Sequence, residues 1–389
     1  MMRTAALVAA FLTPMIAAAQ VEQGAANADF APAFEGQTRA PALPQTAVEI
    51  EQLVSGLRAP WGIAQLPGDG FLVTEREGRM RLISDGAMSE PIGGLPEVAA
   101  IDQGGLLDVA VRTDFADTRQ VWWTYAAEMD GGYITAAATG VLDEESTEMT
   151  DVRVIFEQNP PSQTPKHYGS RIVFGPDGMA YITTGEHSSQ ADRVLAQDIT
   201  TTYGKVIRIS PEGDVPDDNP FVGTEGVDTI WSYGHRNIQG ADFAADGTLW
   251  TMEHGPRGGD ELNAPQAGAN YGWPIISYGI NYDGTGVGSG EAVRAGMEQP
   301  VYYWDPVIAP GGIDFYEGTL FDWGGDLLIA GLNPGALVRL SMEDGRVTGE
   351  ERLLTDVGRI RDVEVLRDGS VLVLIDAPNG GILRMTPAQ

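Results

Sequence analysis

One phrase recurs along this chain and limits what it can fold into: an apolar stretch, an Asp-Gly turn, then an alternating strand. Trp61-Gly62-Ile63-Ala64-Gln65-Leu66 leads through Asp69-Gly70 to Phe71-Leu72-Val73-Thr74. Arg171-Ile172-Val173-Phe174 leads through Asp177-Gly178 to Met179-Ala180-Tyr181-Ile182, and Ala241-Asp242-Phe243 through Asp246-Gly247 to Thr248-Leu249-Trp250. Val363-Glu364-Val365-Leu366 repeats the phrase through Asp368-Gly369, and Ile313-Asp314-Phe315 with Gly325-Asp326-Leu327 is a weaker copy. Asp-Gly between alternating hydrophobics is a hairpin signal. A further strand with a basic residue often follows, as in Met80-Arg81-Leu82-Ile83, Val206-Ile207-Arg208-Ile209, Leu337-Val338-Arg339-Leu340 and Ile382-Leu383-Arg384-Met385.

Long helical periods are absent, and 50 glycines and 24 prolines punctuate short strands. Recurring hairpins without helices predict an all-β fold, a β-propeller of four-stranded antiparallel sheets. At about fifty residues per blade, the chain after its leader holds about six blades. A sandwich or a β-helix is the alternative architecture.

Residues 1–19 read as a secretory signal: Met1-Met2-Arg3, an apolar run, then Ala17-Ala18-Ala19 before Gln20. The run is too short to span a membrane comfortably, and no later segment is apolar enough. The expected location is therefore the periplasm or the exterior. Residues 20–46 form an extended leader, ordered only if it docks on the domain. Residues 47–389 form the single propeller domain. There is no cysteine, so export brings no disulfides. A net charge of −31 argues against nucleic acid as a partner. It fits a monomer and a homodimer alike.

The densest chemistry lies between Gly234 and Trp273. Gly234-His235-Arg236-Asn237-Ile238-Gln239-Gly240 is followed by Glu253-His254-Gly255-Pro256, Asp260-Glu261-Leu262-Asn263 and Asn270-Tyr271-Gly272-Trp273. A bidentate cation, amides, acids and glycines suit a rigid anionic ligand beside a hard metal ion, for which carbonyls and carboxylates are donors. Of the four histidines, His167 in Lys166-His167-Tyr168-Gly169 stands at a strand mouth, a place for a general base or for a surface or hydrogen-bonded loop histidine. Gln103-Gly104-Gly105-Leu106 enters another strand. Arg359-Ile360-Arg361 puts two arginines on one face, a grip for carboxylates. Trp273, Tyr282 and Trp304 are candidates to stack on a flat ring or to pack in the core. The sequence carries no His-Glu-x-x-His, no Gly-x-Ser-x-Gly and no Gly-x-Gly-x-x-Gly opening a helix. Catalytic zinc, a nucleophile elbow and a nicotinamide-binding unit are thereby disfavoured.

Together these motifs resemble the pyrroloquinoline quinone (PQQ)-dependent aldose sugar dehydrogenases, a family related to soluble glucose dehydrogenase. The match also includes Leu57-Arg58-Ala59-Pro60-Trp61-Gly62, Gly204-Lys205-Val206-Ile207-Arg208-Ile209 and Asp218-Asn219-Pro220-Phe221. The resemblance implies a six-bladed propeller with PQQ in a cleft at one end. It implies oxidation of an aldose at C1 to the lactone, with hydride transfer to the quinone and electrons passed to an external acceptor. His167 would be the general base. Arg236 and Asn237 would contact the quinone and stabilise developing charge. Gln103 and Tyr282 would bind cofactor or substrate, and Arg359 and Arg361 would hold the cofactor's carboxylates. The carbonyls of Gly255 and Pro256 would hold Ca²⁺, and Glu261 and Tyr271 a second Ca²⁺. Asn333 stands where the family often has a cofactor-contacting lysine, and Ile238 where it usually has proline. A propeller lactonase would not need the clustered arginines, and a non-catalytic binding propeller would not need His167.

Overall fold

In the computed structural model, which describes residues 20–68 and 70–388, each Asp-Gly hairpin becomes the first two strands of a four-stranded antiparallel sheet. The proposed signal 1–19 and Asp69 of the first turn lie outside the described residues. Six such sheets are arranged as a six-bladed β-propeller. The innermost strands are Pro60–Gln65, Leu106–Val111, Gly169–Phe174, Ile238–Phe243, Pro310–Phe315 and Ile360–Val365, one for each of blades 1 to 6. Blade 2 lacks the phrase: a helical turn, Phe115–Thr118, joins its first two strands. The ring closes through blade 6, where Val48–Leu57 pairs with Gly380–Pro387 as the outermost strand.

The basic residue of the third strand has a partner in the hairpin of its own blade. Arg208 pairs with Asp177 at 2.9 Å, Arg339 with Asp326 at 2.6 Å, and Arg384 with Asp368. The Arg384 pair is partly exposed and worth roughly 0–1 kcal/mol, whereas Arg208 and Asp326 are buried, where desolvation offsets much of the attraction. The larger stabilisation is between blades, where Leu72, Trp123, Ile182, Met252, Leu328 and Val373 are fully or almost fully buried. Each such side chain contributes on the order of 1.5–3 kcal/mol. The ion pairs therefore orient turns, and sheet-on-sheet packing holds the ring.

Every innermost strand breaks register near its N-terminal end. Such bulges re-aim side chains. Here they turn Trp61, Gln239 and Arg361 towards one end of the central channel.

The leader 20–46 docks on the outer edges of blades 4 and 5. Gln37 is fully buried and donates to the Pro300 carbonyl at 2.8 Å, while its own carbonyl accepts from Tyr303 N at 2.9 Å. Ala42 bridges Glu350 on the edge strand of blade 5. Covering these edges removes unpaired strand groups from solvent.

Candidate active site

The loops entering the inner strands enclose a cleft of about 260 Å³ lined by His167, Gln103, Arg236, Asn237, Arg359 and Arg361, among others. A larger cavity of about 670 Å³ lies at the other end of the channel, walled by inner-strand residues and five acids, of which Asp108 and Asp362 are buried and Asp242, Asp314 and Glu364 half-buried. Arg171 stands between their linings: its Nη1 donates to Asp108 at 2.9 Å and Asp362 at 3.0 Å in the wall of the larger cavity, and its guanidinium lies 4.4 Å from the ring centre of Trp61 in the cleft. The smaller cleft is the candidate site because its lining combines two histidines, amides and four arginines.

His167 is buried in the left-handed region, φ +48°, followed by Gly169 at +67° and Ser170 at +91°. Its backbone N–H donates to Gln103 Oε1 at 2.9 Å, and the Gly169 N–H donates to Asn237 Oδ1 at 3.0 Å. Gln103 and Asn237 thus spend their oxygens holding the strained segment and keep their NH₂ groups for a ligand. Gly185 faces this segment so closely that a Cβ would lie 1.8 Å from the His167 carbonyl oxygen. Glycine is therefore required there by contact rather than by turn type.

The His167 Nδ1 lies 3.3 Å from Glu186 Oε2. Burial, reinforced by the Arg236 charge, holds the imidazole below its ordinary value against the pull of Glu186. Burial alone would raise the Glu186 carboxyl, but His167 and Arg236 outweigh it and keep it below the usual range. A neutral His167 donates Nδ1–H to that carboxylate and leaves Nε2 as a proton acceptor. His254 completes the floor: its Nε2 bonds the Pro310 carbonyl at 2.7 Å, and burial with the nearby Arg236 and Arg361 charges lowers it to about 3. It is neutral in all ordinary buffers.

Arg236 donates to the His254 carbonyl at 2.9 Å and lies 5.1 Å from the Trp273 ring centre. Arg359 and Arg361 share Asp376, at 2.8 and 3.0 Å, and Arg361 also donates to Gln239 Oε1 at 3.1 Å. Arg76 is the fourth arginine of the lining, and no carboxylate lines the cleft among the described residues. The chain as a whole carries 55 acidic and 24 basic residues, so this cleft inverts the molecule's charge balance. The Nε of the buried Arg361 has no hydrogen-bond partner among the described residues, and the Arg236 Nε has none either, facing Glu186 Oε1 only at ion-pair distance, 4.0 Å. Buried donors of this kind call for an acceptor.

The turn 255–259 follows. The Gly255 N–H donates to Asp260 Oδ1 at 2.7 Å, and Asp260 Oδ2 accepts from Ile308 N and Ala309 N at 2.8 and 2.7 Å. Among the described residues, no donor reaches the carbonyls of Gly255 or Pro256. A Cβ on Gly255 would lie 2.2 Å from the Gly258 and Gly259 oxygens. Two free carbonyls on a tight turn are donors for a hard cation. Glu261 is enclosed beside Glu253, its partner in register, and burial and that neighbour push its carboxyl well above its usual range. A cation would relieve it. No group of three or more acidic or histidine side chains gathers as a metal cage among the described residues, so any cation here rests on backbone oxygens as well.

The remaining candidates separate. Tyr282 lines the rim and is 76 % exposed. Tyr271 stacks on His235. Trp304 is fully buried in the core. Asn333 is exposed and does not line the cleft, whereas its neighbour Leu332 does. Glu186, Asp376 and Arg76 were missed in the sequence, where each reads as an ordinary charged loop or strand-end residue. The Gly before Glu186 was the one available signal.

The chain is 42 % identical over 349 residues to the aldose sugar dehydrogenase YliI of Escherichia coli, covering 87 % of this chain and 93 % of that protein. The structure matches the apo-form of the soluble aldose sugar dehydrogenase of Escherichia coli with a TM-score of 0.85 at 41 % identity, over 88 % of this chain and 100 % of that one. It matches the PQQ-bound aldose sugar dehydrogenase of Streptomyces coelicolor with a TM-score of 0.73 at 28 % identity, over 88 % and 99 %. The family model for Glucose / Sorbosone dehydrogenase matches residues 57–384, which takes in blades 1 to 5, the three inner strands of blade 6 almost to their end and every residue of the cleft, and the chain belongs to that family.

Proposed function

We propose that this protein is a PQQ- and calcium-dependent aldose dehydrogenase that oxidises aldoses at C1 to the lactone and passes the electrons to an external acceptor. The observation that carries this reading is the carboxylate-free, four-arginine cleft beside a neutral, carboxylate-held His167. When bound, PQQ supplies the two-electron acceptor. Arg359 and Arg361, held by Asp376, would bind its carboxylates, and the Nε groups of Arg236 and Arg361, which make no hydrogen bond among the described residues, are donors suited to its oxygens. The carbonyls of Gly255 and Pro256 would hold Ca²⁺, and Glu261 with the Tyr271 carbonyl a second ion. His167 Nε2 would take the proton from the anomeric hydroxyl, and the Glu186 carboxylate would stabilise the imidazolium that forms. Arg236 would oppose negative charge as it develops.

No helix among the described residues is long and apolar enough to cross a membrane. We place the mature protein in the periplasm or outside the cell, which fractionation would check. The test of function is dye reduction by purified protein with glucose and other aldoses, with and without added PQQ and Ca²⁺. Activity only with both additions is the expected result. Quinone binding without aldose turnover would redirect the search to other alcohols, and no quinone binding would overturn the reading.

A further inference from the structure

We propose that the leader 20–46 is a brace for the turn 255–259, and that Asn27 and Asp305 are positioning residues for the cation held there. The inference rests on the calcium assignment made above for Gly255 and Pro256. The family match begins at residue 57, so the leader is not part of what that match explains. It nevertheless makes specific polar contacts with the back of the site.

Asp305 follows the edge strand Tyr302–Trp304 and is 4 % exposed. Its carboxylate takes the Asn27 backbone N–H at 2.9 Å, the Asn27 Nδ2 at 2.6 Å and the Ala28 N–H at 3.0 Å. Among the described residues, every hydrogen bond to that carboxylate comes from the leader. The same carboxylate presses on the turn: a Cβ on Gly258, φ +82°, would lie 2.4 Å from Asp305 Oδ1. Arg257, in the turn, donates to Asn27 Oδ1 at 3.0 Å. Arg39, further along the leader, donates to the Asp305 carbonyl at 2.8 Å.

The turn is thus held from two sides, by Asp260 within blade 4 and by the leader through Asp305 and Asn27. Without the leader, Asp305 keeps its place against Gly258 but loses its donors. A buried carboxylate in that condition must move or admit water. Either change displaces a turn whose two carbonyls must stay within about 2.3–2.6 Å of one ion.

The test is Asp305→Ala in the full chain, read by hydrogen exchange in the absence of PQQ and calcium. The Arg257 and Gly259 amides report on the turn, being bonded to the Ile280 and Trp304 carbonyls at 3.0 and 2.8 Å. The brace predicts at least tenfold faster exchange at both amides and about tenfold weaker calcium binding by calorimetry. Unchanged exchange at these amides, with faster exchange at Asn27 and Ala28, would show that the leader only covers sheet edges and would overturn the proposal. Asn27→Ala, which keeps the backbone donors, should move both readouts the same way by about threefold and serves if Asp305→Ala does not fold. If the unaltered protein binds no calcium, the calcium assignment fails by itself, and the exchange rates still decide the brace.

Discussion

At the scale of single residues, the site is built on one costly backbone segment. His167 and Ser170 occupy the left-handed region, which costs on the order of 1–3 kcal/mol each for residues other than glycine. The Gln103 and Asn237 oxygens hold the segment in place, so they position the proposed base, His167, as well as facing the cleft. His167→Ala should retain PQQ binding and lose roughly 10²–10⁴-fold in turnover. Near-normal turnover in that variant would remove His167 from the mechanism. The acid limb of kcat/KM should fall below the ordinary histidine range, because burial and Arg236 lower His167. Glu186 opposes that shift, so Glu186→Gln should move the limb to still lower pH while reducing kcat. A limb moving upward would mean that Glu186 does not face the titrating group. Arg361→Ala should weaken PQQ binding and leave Asp376 with Arg359 alone; an unchanged quinone affinity by fluorescence titration would refute the carboxylate assignment.

At the scale of elements, the decisive piece is the turn between the second and third strands of blade 4. Gly255→Ala must push the Gly258 and Gly259 carbonyls aside, since the new methyl would meet both at 2.2 Å. Calcium affinity by calorimetry should fall at least tenfold while the far-ultraviolet spectrum of the propeller is retained; equal affinity would take Gly255 out of the ion's coordination. The blades were legible in the sequence because Asp-Gly turns and period-two strands are local signals. Blade 2 was half-legible, since Phe115–Thr118 replaces the turn and only the Gln103 phrase marked its inner strand. The arginine pair on Ile360's flanks was legible because side-chain alternation alone puts Arg359 and Arg361 on one face. Glu186 was not, because its role exists only once blade 3 brings residue 186 against residue 167. Asn333 shows the opposite case: aligned by its place in a motif, it is exposed beside the cleft while Leu332 faces inward.

At the scale of the whole molecule, the inner strands are tied around the channel by carboxylates that each reach the next blade. Asp108 accepts from Ile172 N at 2.9 Å, Asp242 from Phe315 N at 3.0 Å, Asp362 from Ile63 N and Glu364 from Gln65 N at 3.1 Å, and Asp314 from Val365 N. Arg171 is the cation that crosses this ring, and it contacts only two of the five acids. Burial pushes Asp242 up to about 6, Glu364 up to about 8, and Asp314, which sits beside both, well above its usual range. A folded-state value above the unfolded one means that the native protein binds more protons than the unfolded chain. Stability from these groups is therefore full below the unfolded carboxylate range near pH 4 and declines as pH rises towards 8. A tenfold difference in proton affinity between the folded and unfolded chain is worth at most about 1.4 kcal/mol per group. His167, His187 and His254, all lowered by burial, act in the opposite direction only below about pH 6.5, and Lys205, lowered to about 7 by burial, only above that value. Asp314→Asn isolates the ring from both. The amide oxygen still accepts from Val365 N, but there is no charge to bury. The melting temperature of the variant relative to the unaltered protein should rise progressively between pH 5 and pH 8, at fixed calcium. A difference that shrinks or reverses over that interval would mean that Asp314 is ionised in the folded protein, and that the ring is held by charge rather than by shared protons.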